Sequence, residues 1–290
     1  MFLRVKKVNA FTDSLDGGNP AGVVLNPPSL TEEQMKLVSQ LLNVSETAFL
    51  FPSEKADYRL RFFSPEVEVA LCGHATIATF FSLAQGGKIS KEKKVVTQET
   101  NIGVLPVKIL RNKKGEVERV TMTQGKPSFK NIDFNWKDVA DALCTPVENI
   151  DTSLPKQVVS TGLFTLPVCI KSFEVLKSLK PDFNKIKKLC HKLQAGSFHV
   201  FTFETIDESS VYHARNFAPL YGVNEDPVTG TANGAVCSYL IRNGIIDDNK
   251  LICEQGDIIG RAGRVFVEIE NNTVMVGGKA KIVEEKDIEV

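Results

Sequence analysis

The sequence predicts an α+β protein of two pseudo-symmetric domains, each a barrel-like β-sheet wrapped around a central buried helix. Two stretches, 61–87 and 215–244, copy each other: each has Arg-x-Phe-x-Pro, a short loop, a glycine turn and a long apolar segment. Neither apolar segment has a polar face, which is typical of a buried helix. Strands outnumber helices in each half, so sheet must enclose each of these helices.

The first half opens with alternating strands at 3–11 and 22–25, separated by turn residues. Thr31 and Gln34 then predict a capping box that begins a helix reaching about Leu42. The remaining elements of this half are strands 45–51, 58–63, 95–110 and 117–123 and the buried helix 74–85.

The second half repeats this order after a linker at 124–128. Helix 182–193 is predicted from apolar residues at helical spacing, and the second buried helix is 231–242. The strands are 157–159, 166–170, 197–203, 210–217, 250–254, 264–270 and 273–276. Matching elements lie about 150 to 157 residues apart, which indicates duplication of one half.

The composition gives no sign of a nucleic-acid-binding, membrane-spanning or secreted protein. The chain of 290 residues is 42% hydrophobic, and its 35 basic residues balance 35 acidic ones, so no nucleic-acid partner is indicated. The apolar stretch 75–84 is too short to span a bilayer, and the first strand has no signal-peptide core. We therefore expect a cytoplasmic protein that binds neither nucleic acid nor membrane.

Cysteine and histidine usage predicts no metal site. The six cysteines and four histidines are scattered, with no close pair at zinc or redox spacing. Most cysteines are expected to be small buried hydrophobic residues.

The two glycine turns are the main functional signal in the sequence. Each begins a buried helix, whose N-terminus carries a partial positive charge of roughly +0.5. If both helix ends face one cleft, they could converge on one carboxylate. The alternative is that both turns only end loops.

Four side chains near these turns could carry chemistry, although each also has a structural explanation. Glu46 could be a base or an exposed carboxylate at a strand end. His74 could be catalytic or bonded to backbone in the first helical turn. Asp226 could act on substrate or form an Asx turn. Cys72 could be reactive, because helix N-termini lower thiol pKa values, or could simply pack.

Six short motifs spread along the chain carry a family resemblance. They are Asn9-Ala10-Phe11-Thr12, Gly18-Asn19-Pro20-Ala21-Gly22-Val23, Ser45-Glu46-Thr47-Ala48-Phe49, Cys72-Gly73-His74-Ala75-Thr76, Glu225-Asp226-Pro227-Val228-Thr229-Gly230-Thr231-Ala232 and Glu254-Gln255-Gly256. Together they resemble the PhzF-like family of phenazine biosynthesis, which is related in fold to diaminopimelate epimerase and proline racemase. The resemblance covers essentially the whole chain.

The resemblance implies a diaminopimelate epimerase-like fold with its site in the cleft between two domains. The N-terminal domain would comprise 1–125 plus about 279–290, because the last strand returns to it, and the C-terminal domain would comprise 126–278. A homodimer is implied as well.

The resemblance also implies roles for individual residues. In the phenazine enzyme, a glutamate isomerises dihydro-hydroxyanthranilate by moving a proton between carbon atoms. That glutamate matches Glu46. The family's histidine and aspartate match His74 and Asp226, and its serine matches Thr231.

Only one of the two catalytic cysteines of the related epimerases and racemases is present in this sequence. Those enzymes use two, one before each glycine. Here the first is Cys72, whereas the second position is Thr229. A two-thiol racemase mechanism is therefore unsupported.

Our first hypothesis is a cofactor-independent isomerase acting on a small carboxylate metabolite. Glu46 would be the general base and then the acid, with its pKa raised by partial burial. His74 and Asp226 would orient substrate and pass protons. The backbone amides expected to hold the carboxylate are those of Gly73, His74, Gly230 and Thr231.

Two rival hypotheses stay open. One is a non-catalytic ligand-binding or protein-interaction member of the family. The other is an epimerase that uses Cys72 together with Glu46.

Overall fold

The computed structural model describes residues 1–290 and divides them into two compact units. The first unit comprises Met1–Thr123 and Gly277–Val290, and the second comprises Gln124–Val276. Mixed β-structure dominates, with six α-helices, so the predicted α+β class is confirmed. No helix combines the length and the apolar character needed to cross a bilayer.

The first unit contains two helices and nine strands, numbered in chain order through the whole molecule. The helices are α1 (Glu32–Leu42) and α2 (Gly73–Gln85). The strands are β1 (Phe2–Ala10), β2 (Asn19–Val24), β3 (Thr47–Phe51), β4 (Tyr58–Phe63), β5 (Glu68–Val69), β6 (Val95–Thr100), β7 (Gly103–Arg111), β8 (Val117–Thr123) and β18 (Ala280–Glu289).

The sheet of the first unit wraps around α2. Strand β1 lies between β18 and β2 and is antiparallel to both. Parallel pairings join β2 to β3 and β4 to β6, whereas β3–β4, β6–β7 and β7–β8 are antiparallel. Helix α2 contacts β1, β2, β3, β7, β8 and β18, so sheet surrounds it on several sides.

Helix α2 is buried along nearly its whole length. Residues 75–84 are all buried. The hydroxyls of Thr76, Thr79 and Ser82 each donate a hydrogen bond of 2.8 Å to the carbonyl oxygen four residues earlier, so no hydroxyl is left unpaired. Gly87 takes the left-handed conformation (φ +70°) beyond the helix end, as predicted from the glycine pair.

The second unit contains four helices and nine strands. The helices are α3 (Trp136–Leu143), α4 (Phe173–Ser178), α5 (Phe183–Leu193) and α6 (Gly230–Arg242). The strands are β9 (Ser128–Asn131), β10 (Gln157–Ser160), β11 (Phe164–Cys169), β12 (Ser197–Thr202), β13 (Tyr212–Ala218), β14 (Val223–Asp226), β15 (Lys250–Gln255), β16 (Gly263–Glu270) and β17 (Thr273–Gly278).

Strand pairing in the second unit repeats that of the first. Strands β11 and β12 are parallel like β2 and β3, and β13 is parallel to β15 as β4 is to β6. The antiparallel pairs β12–β13 and β15–β16 match β3–β4 and β6–β7. Helix α6 contacts β10, β11, β12 and β16. The duplication predicted from element order is therefore present in the hydrogen-bonding pattern.

Matching arginines on β4 and β13 each form an ion pair with a glutamate, which we call an arginine staple. Arg61 makes two 2.8 Å hydrogen bonds to the Glu68 carboxylate, and Arg215 binds Glu225 through two at 2.9 and 2.8 Å. Each guanidinium also lies 5.0 Å from the ring of the phenylalanine two residues later. Because each glutamate comes four residues before a helix N-cap, the staples anchor the loops that lead into α2 and α6.

Helix α1 begins and ends as its sequence predicts. Thr31 and Gln34 form the capping box, with hydrogen bonds of 3.2 and 2.9 Å. Asn43 ends the helix in the left-handed conformation (φ 49°). The buried face, which includes Met35, Val38 and Leu42, packs on side chains from β1, β2, β3 and β4.

Three of the longer elements differ from the sequence prediction, and the short strands β5, β9 and β14 were not predicted either. The single strand expected at 95–110 is the hairpin β6–β7, because the chain turns at Asn101 and Ile102 into Gly103 (φ +122°). The Thr100 side chain stabilises this turn by accepting from the Ile102 amide and donating to the Gly103 carbonyl. Helices α3 and α4 were not predicted.

One buried histidine makes the stability of the second unit depend on pH. His199 on β12 is fully buried, and its Nδ1 donates to Asn216 Oδ1 at 3.2 Å. Burial lowers the pKa of His199 to about 4, although the hydrogen bond to Asn216 raises it in part. An unfolded histidine has a pKa of about 6.5.

We predict that the free energy of unfolding falls by up to about 3 kcal/mol as pH decreases from about 6.5 to about 4. In this window the unfolded chain binds a proton that the folded His199 does not accept. Urea unfolding across the window should show a flatter pH dependence in His199→Asn. His191→Asn is the control, because His191 is exposed. Equal slopes in both variants and the parent would contradict the assignment.

Candidate active site

Glu46 lies in the loop between α1 and β3, where backbone contacts hold it. Its carbonyl oxygen accepts a 3.0 Å hydrogen bond from the Gly22 amide on β2. A side chain at Gly22 would lie 2.3 Å from Thr47 Oγ1, so glycine is needed for this close approach. The Glu46 side chain is 23% exposed, which is less than expected for a free strand-end carboxylate.

Cys72, Gly73 and His74 form the entrance to α2. Cys72 is the N-cap residue, has extended backbone and makes no side-chain capping bond. Gly73 is the first helical residue and His74 the second. Since helix N-termini leave amides without intrahelical partners, this turn presents N–H groups together with a thiol and an imidazole.

The first unit brings Glu46, Cys72 and His74 into one cluster. His74 Nε2 lies 3.2 Å from Glu46 Oε2, and Ser45 Oγ lies 3.4 Å from the same nitrogen. Cys72 Sγ is 3.5 Å from His74 Nδ1 and 3.8 Å from Nε2. A carboxylate, an imidazole and a thiol are thus in mutual contact.

The Glu46 carboxyl is more acidic than predicted. Burial raises its pKa, but the hydrogen bond and positive charge of His74, with hydrogen bonds from Ser45 and Cys72, outweigh burial and lower it below the ordinary value. The prediction of a raised pKa was therefore wrong. It considered desolvation alone and not the cationic partner.

His74 and Cys72 hold their protons. Burial alone lowers the pKa of His74, but the neighbouring Cys72 sulfur and Glu46 carboxylate raise it well above the ordinary value. Burial raises the pKa of the Cys72 thiol. Both pKa shifts favour the protonated form of their group, and the Glu46 carboxylate is the ion-pair partner of His74 at 3.2 Å.

A second cluster surrounds the glycine turn of the second unit. Asp226 is the last residue of β14, and its carboxylate accepts a hydrogen bond from the Thr229 hydroxyl. Thr229 is the N-cap of α6 and makes no capping bond to the helix. Gly230 and Thr231 are the first two helical residues, and the Thr231 carbonyl accepts from Thr161 Oγ1 at 3.1 Å.

Gln255 holds this second turn with four hydrogen bonds. Its Oε1 accepts from the Thr229 amide at 3.0 Å and from Asn233 Nδ2 at 2.8 Å. Its Nε2 donates to the Asp226 carbonyl at 2.8 Å and to Thr229 Oγ1 at 3.1 Å. The side chain is buried and fixes both ends of the segment between Asp226 and α6.

The predicted site residues therefore form two groups, one in each unit. Glu46, Cys72, Gly73 and His74 lie together in the first, and Asp226, Gly230 and Thr231 in the second. Their catalytic and binding roles stay predictions. Sequence reasoning gave no role to Ser45 or Gln255, although both lie within the motifs that carried the resemblance.

The cluster of the first unit also has the donors of a metal site. One ligand atom from each of Glu46, Cys72 and His74 lies within 4.8 Å of the others. Sequence spacing could not indicate this set, because Glu46 reaches the other two only through folding.

Comparisons with known proteins find similarity along nearly the whole chain. A family model described as phenazine biosynthesis-like protein matches residues 8–286. The uncharacterized isomerase YfhB of Bacillus subtilis is 41% identical over 279 residues, which cover 96% of this chain and 93% of YfhB.

Solved structures show the same fold. A phenazine biosynthesis protein of the PhzF family from Bacillus anthracis superposes with a TM-score of 0.92 at 35% identity, covering 100% of both chains. A probable proline racemase from Agrobacterium radiobacter matches with a TM-score of 0.65 at 14% identity, covering 99% of this chain and 93% of its own. The latter likeness concerns the fold alone.

We predict that Gln255→Met lowers the free energy of unfolding by about 2–4 kcal/mol, because buried partners such as the Thr229 amide lose their hydrogen bonds. Gln98→Met is the matched control. Gln98 is a buried glutamine on β6, and its Oε1 accepts a 3.4 Å hydrogen bond from Thr76. Denaturant unfolding should show a clearly smaller loss for Gln98→Met. Equal losses would mean that the Gln255 bonds add no stability.

Proposed function

The chain belongs to the phenazine biosynthesis-like protein family, and we propose that it moves a proton on a small carboxylate substrate by side-chain acid–base catalysis. Relatives over nearly the whole chain are named isomerases, and the fold is that of the PhzF family, so the protein is an isomerase-type enzyme. The proposal adds the chemistry, the residues and the substrate class.

The observation that carries the proposal is the contact between Glu46 and His74. At 3.2 Å, an ionised carboxylate lies beside a protonated imidazole. The carboxylate can accept a proton from carbon, and the imidazolium can donate one. These are the two steps of a proton shift, and they need only protein side chains.

The first-turn backbone N–H groups of α2, which have no acceptor within the helix, suit a carboxylate substrate. Cys72 supplies no side chain to the first-turn amides, so the Gly73 and His74 N–H groups can bind an anion. The same amides would stabilise negative charge that develops beside the carboxylate as the proton leaves. We assign orienting roles to Asp226, Gly230 and Thr231 as part of the same proposal.

Cys72 supports a second candidate function, because its Sγ lies 3.5 Å from His74 Nδ1. In this alternative the thiol would exchange protons together with Glu46, as in an epimerase. Burial raises the pKa of Cys72, which disfavours the thiolate that such a base requires. We therefore assign proton abstraction to Glu46.

We predict that Glu46→Gln lowers the rate of solvent deuterium exchange into substrate by at least about 100-fold. Glutamine keeps the shape of the side chain but cannot accept the proton, and groups of this kind contribute roughly 100- to 10,000-fold. Binding of a carboxylate ligand, measured by titration on the same protein, should change little because the helix amides hold it.

The matched control is Glu66→Gln, since Glu66 is an exposed carboxylate of the same unit. It should exchange at the parental rate. Undiminished exchange in Glu46→Gln would remove Glu46 from its role. Loss of both exchange and binding would show that it positions substrate instead.

We predict that Cys72→Ala keeps turnover within a few-fold and costs about 1 kcal/mol of stability, a typical loss for a small buried truncation. Steady-state kinetics and denaturant unfolding measure the two quantities. A fall of several orders of magnitude in kcat, with the fold intact, would instead support the Cys72-dependent epimerase.

A further inference from the structure

We propose that Glu46, Cys72 and His74 bind a thiophilic divalent cation such as Zn²⁺, and that the bound cation inhibits the enzyme. This binding function is separate from proton transfer and uses the same three side chains. The inhibition rests on the proposed function, whereas the binding does not.

The donor types favour zinc over the hard divalent cations. Zinc in proteins takes cysteine sulfur, histidine nitrogen and carboxylate oxygen, and the cluster offers one of each. Mg²⁺ and Ca²⁺ prefer oxygen ligands and gain little from a thiol or an imidazole. Three protein donors would leave the fourth tetrahedral position for water.

Two of the three distances between donor atoms match the edges of a tetrahedral zinc site, and the third lies within 4.8 Å. Zinc–ligand bonds of about 2.0–2.3 Å place neighbouring ligand atoms about 3.3–3.8 Å apart. The distance from His74 Nε2 to Glu46 Oε2 is 3.2 Å, and that from the same nitrogen to Cys72 Sγ is 3.8 Å. Each is within a few tenths of an ångström of a tetrahedral edge.

The three donors are held by one unit of the fold. Cys72 and His74 are two residues apart at the start of α2, where the Thr76 amide donates to the Cys72 carbonyl at 3.0 Å. The Glu46 backbone is tied to Gly22 on β2. Binding therefore needs side-chain adjustment and release of the protons on Cys72 and His74, which a metal ion displaces from its ligands, but no rearrangement of the backbone.

Solvent can reach the cluster from the Glu46 side. The side chains of His74 and Glu46 are 13% and 23% exposed, whereas Cys72 lies deeper. A bound cation would replace the direct contact between Glu46 and His74. The carboxylate could then no longer accept a proton from substrate, so inhibition should be competitive with substrate.

The test uses the full-length protein, stripped of metal by a chelator, with Co²⁺ as the probe. Co²⁺ bound to a thiolate gives sulfur-to-cobalt charge-transfer absorption, which reports coordination without any activity assay. We expect this absorption to appear with one Co²⁺ per chain and to disappear when Zn²⁺ is added. Mg²⁺ should neither produce nor remove it.

Two ligand variants and one control test the site. Mutation of a residue that only hydrogen-bonds to a metal ligand typically costs 10–100-fold in metal affinity. Removal of a ligand should cost more, so Cys72→Ser should weaken binding by at least about 100-fold and abolish the absorption. Glu46→Gln should weaken binding but keep the absorption. Cys144→Ser, which removes an exposed thiol, is the control and should match the parent. Circular dichroism verifies that each variant is folded.

The outcomes separate this proposal from the proposed function. Charge-transfer absorption that persists in folded Cys72→Ser, or that is lost in Cys144→Ser, would overturn the site. Binding that depends on Cys72 and Glu46 supports it even if the isomerase proposal fails. Once a substrate is known, Zn²⁺ should raise KM with little effect on kcat, and unaffected turnover at saturating Zn²⁺ would overturn the inhibition.

Discussion

The complete burial of the two central helices is the constraint on which the rest of the structure depends. A helix with no polar face must be enclosed, so each half of the chain commits most of its strands to surrounding one helix. Small residues allow this enclosure, and hydroxyls such as those of Thr79 and Ser82 are satisfied by the helix itself. The first-turn amides are the helix groups left without internal partners. On the proposed function, the chemistry of this chain lies at these helix N-termini.

The two halves share their strand pairing and the contacts around each glycine turn, but the residues of the two turns themselves differ. Both turns keep the arginine–glutamate staple, and a buried glutamine contacts the helix residue four positions after each N-cap, Gln98 with Thr76 and Gln255 with Asn233. The first turn carries ionisable groups, Cys72 and His74, that contact Glu46. The second replaces these two with threonines and uses Gln255 to fill its hydrogen bonds. On the proposed function, the first half therefore carries the groups that move the proton, whereas the second carries the Asp226 carboxylate in a turn that Gln255 holds by hydrogen bonds.

Local sequence signals predicted the ends of the helices well, because interactions between neighbouring residues determine them. The capping box of α1 and the left-handed glycine after α2 depend only on neighbouring residues, and both were predicted correctly. The turn at Asn101 was missed because strand-forming residues flank it on both sides. The surroundings of Glu46 were not predictable from statistics. They depend on a backbone bond to Gly22 on β2 and on the contact with His74 at the start of α2, and both residues are distant from Glu46 in sequence.

The lowered pKa of Glu46 shifts part of the catalytic task away from the base. A carboxylate stabilised by His74 is a weaker proton acceptor, so on the proposed mechanism the carbon acid must be made more acidic instead. Amide donors aimed at developing negative charge supply about 100- to 1,000-fold each. The Gly73 and His74 amides and the protonated imidazole stand at the helix end where that charge would form. Electrostatic stabilisation by α2 should therefore contribute at least as much as proton abstraction, which places the origin of activity in the same buried helix that organises the fold.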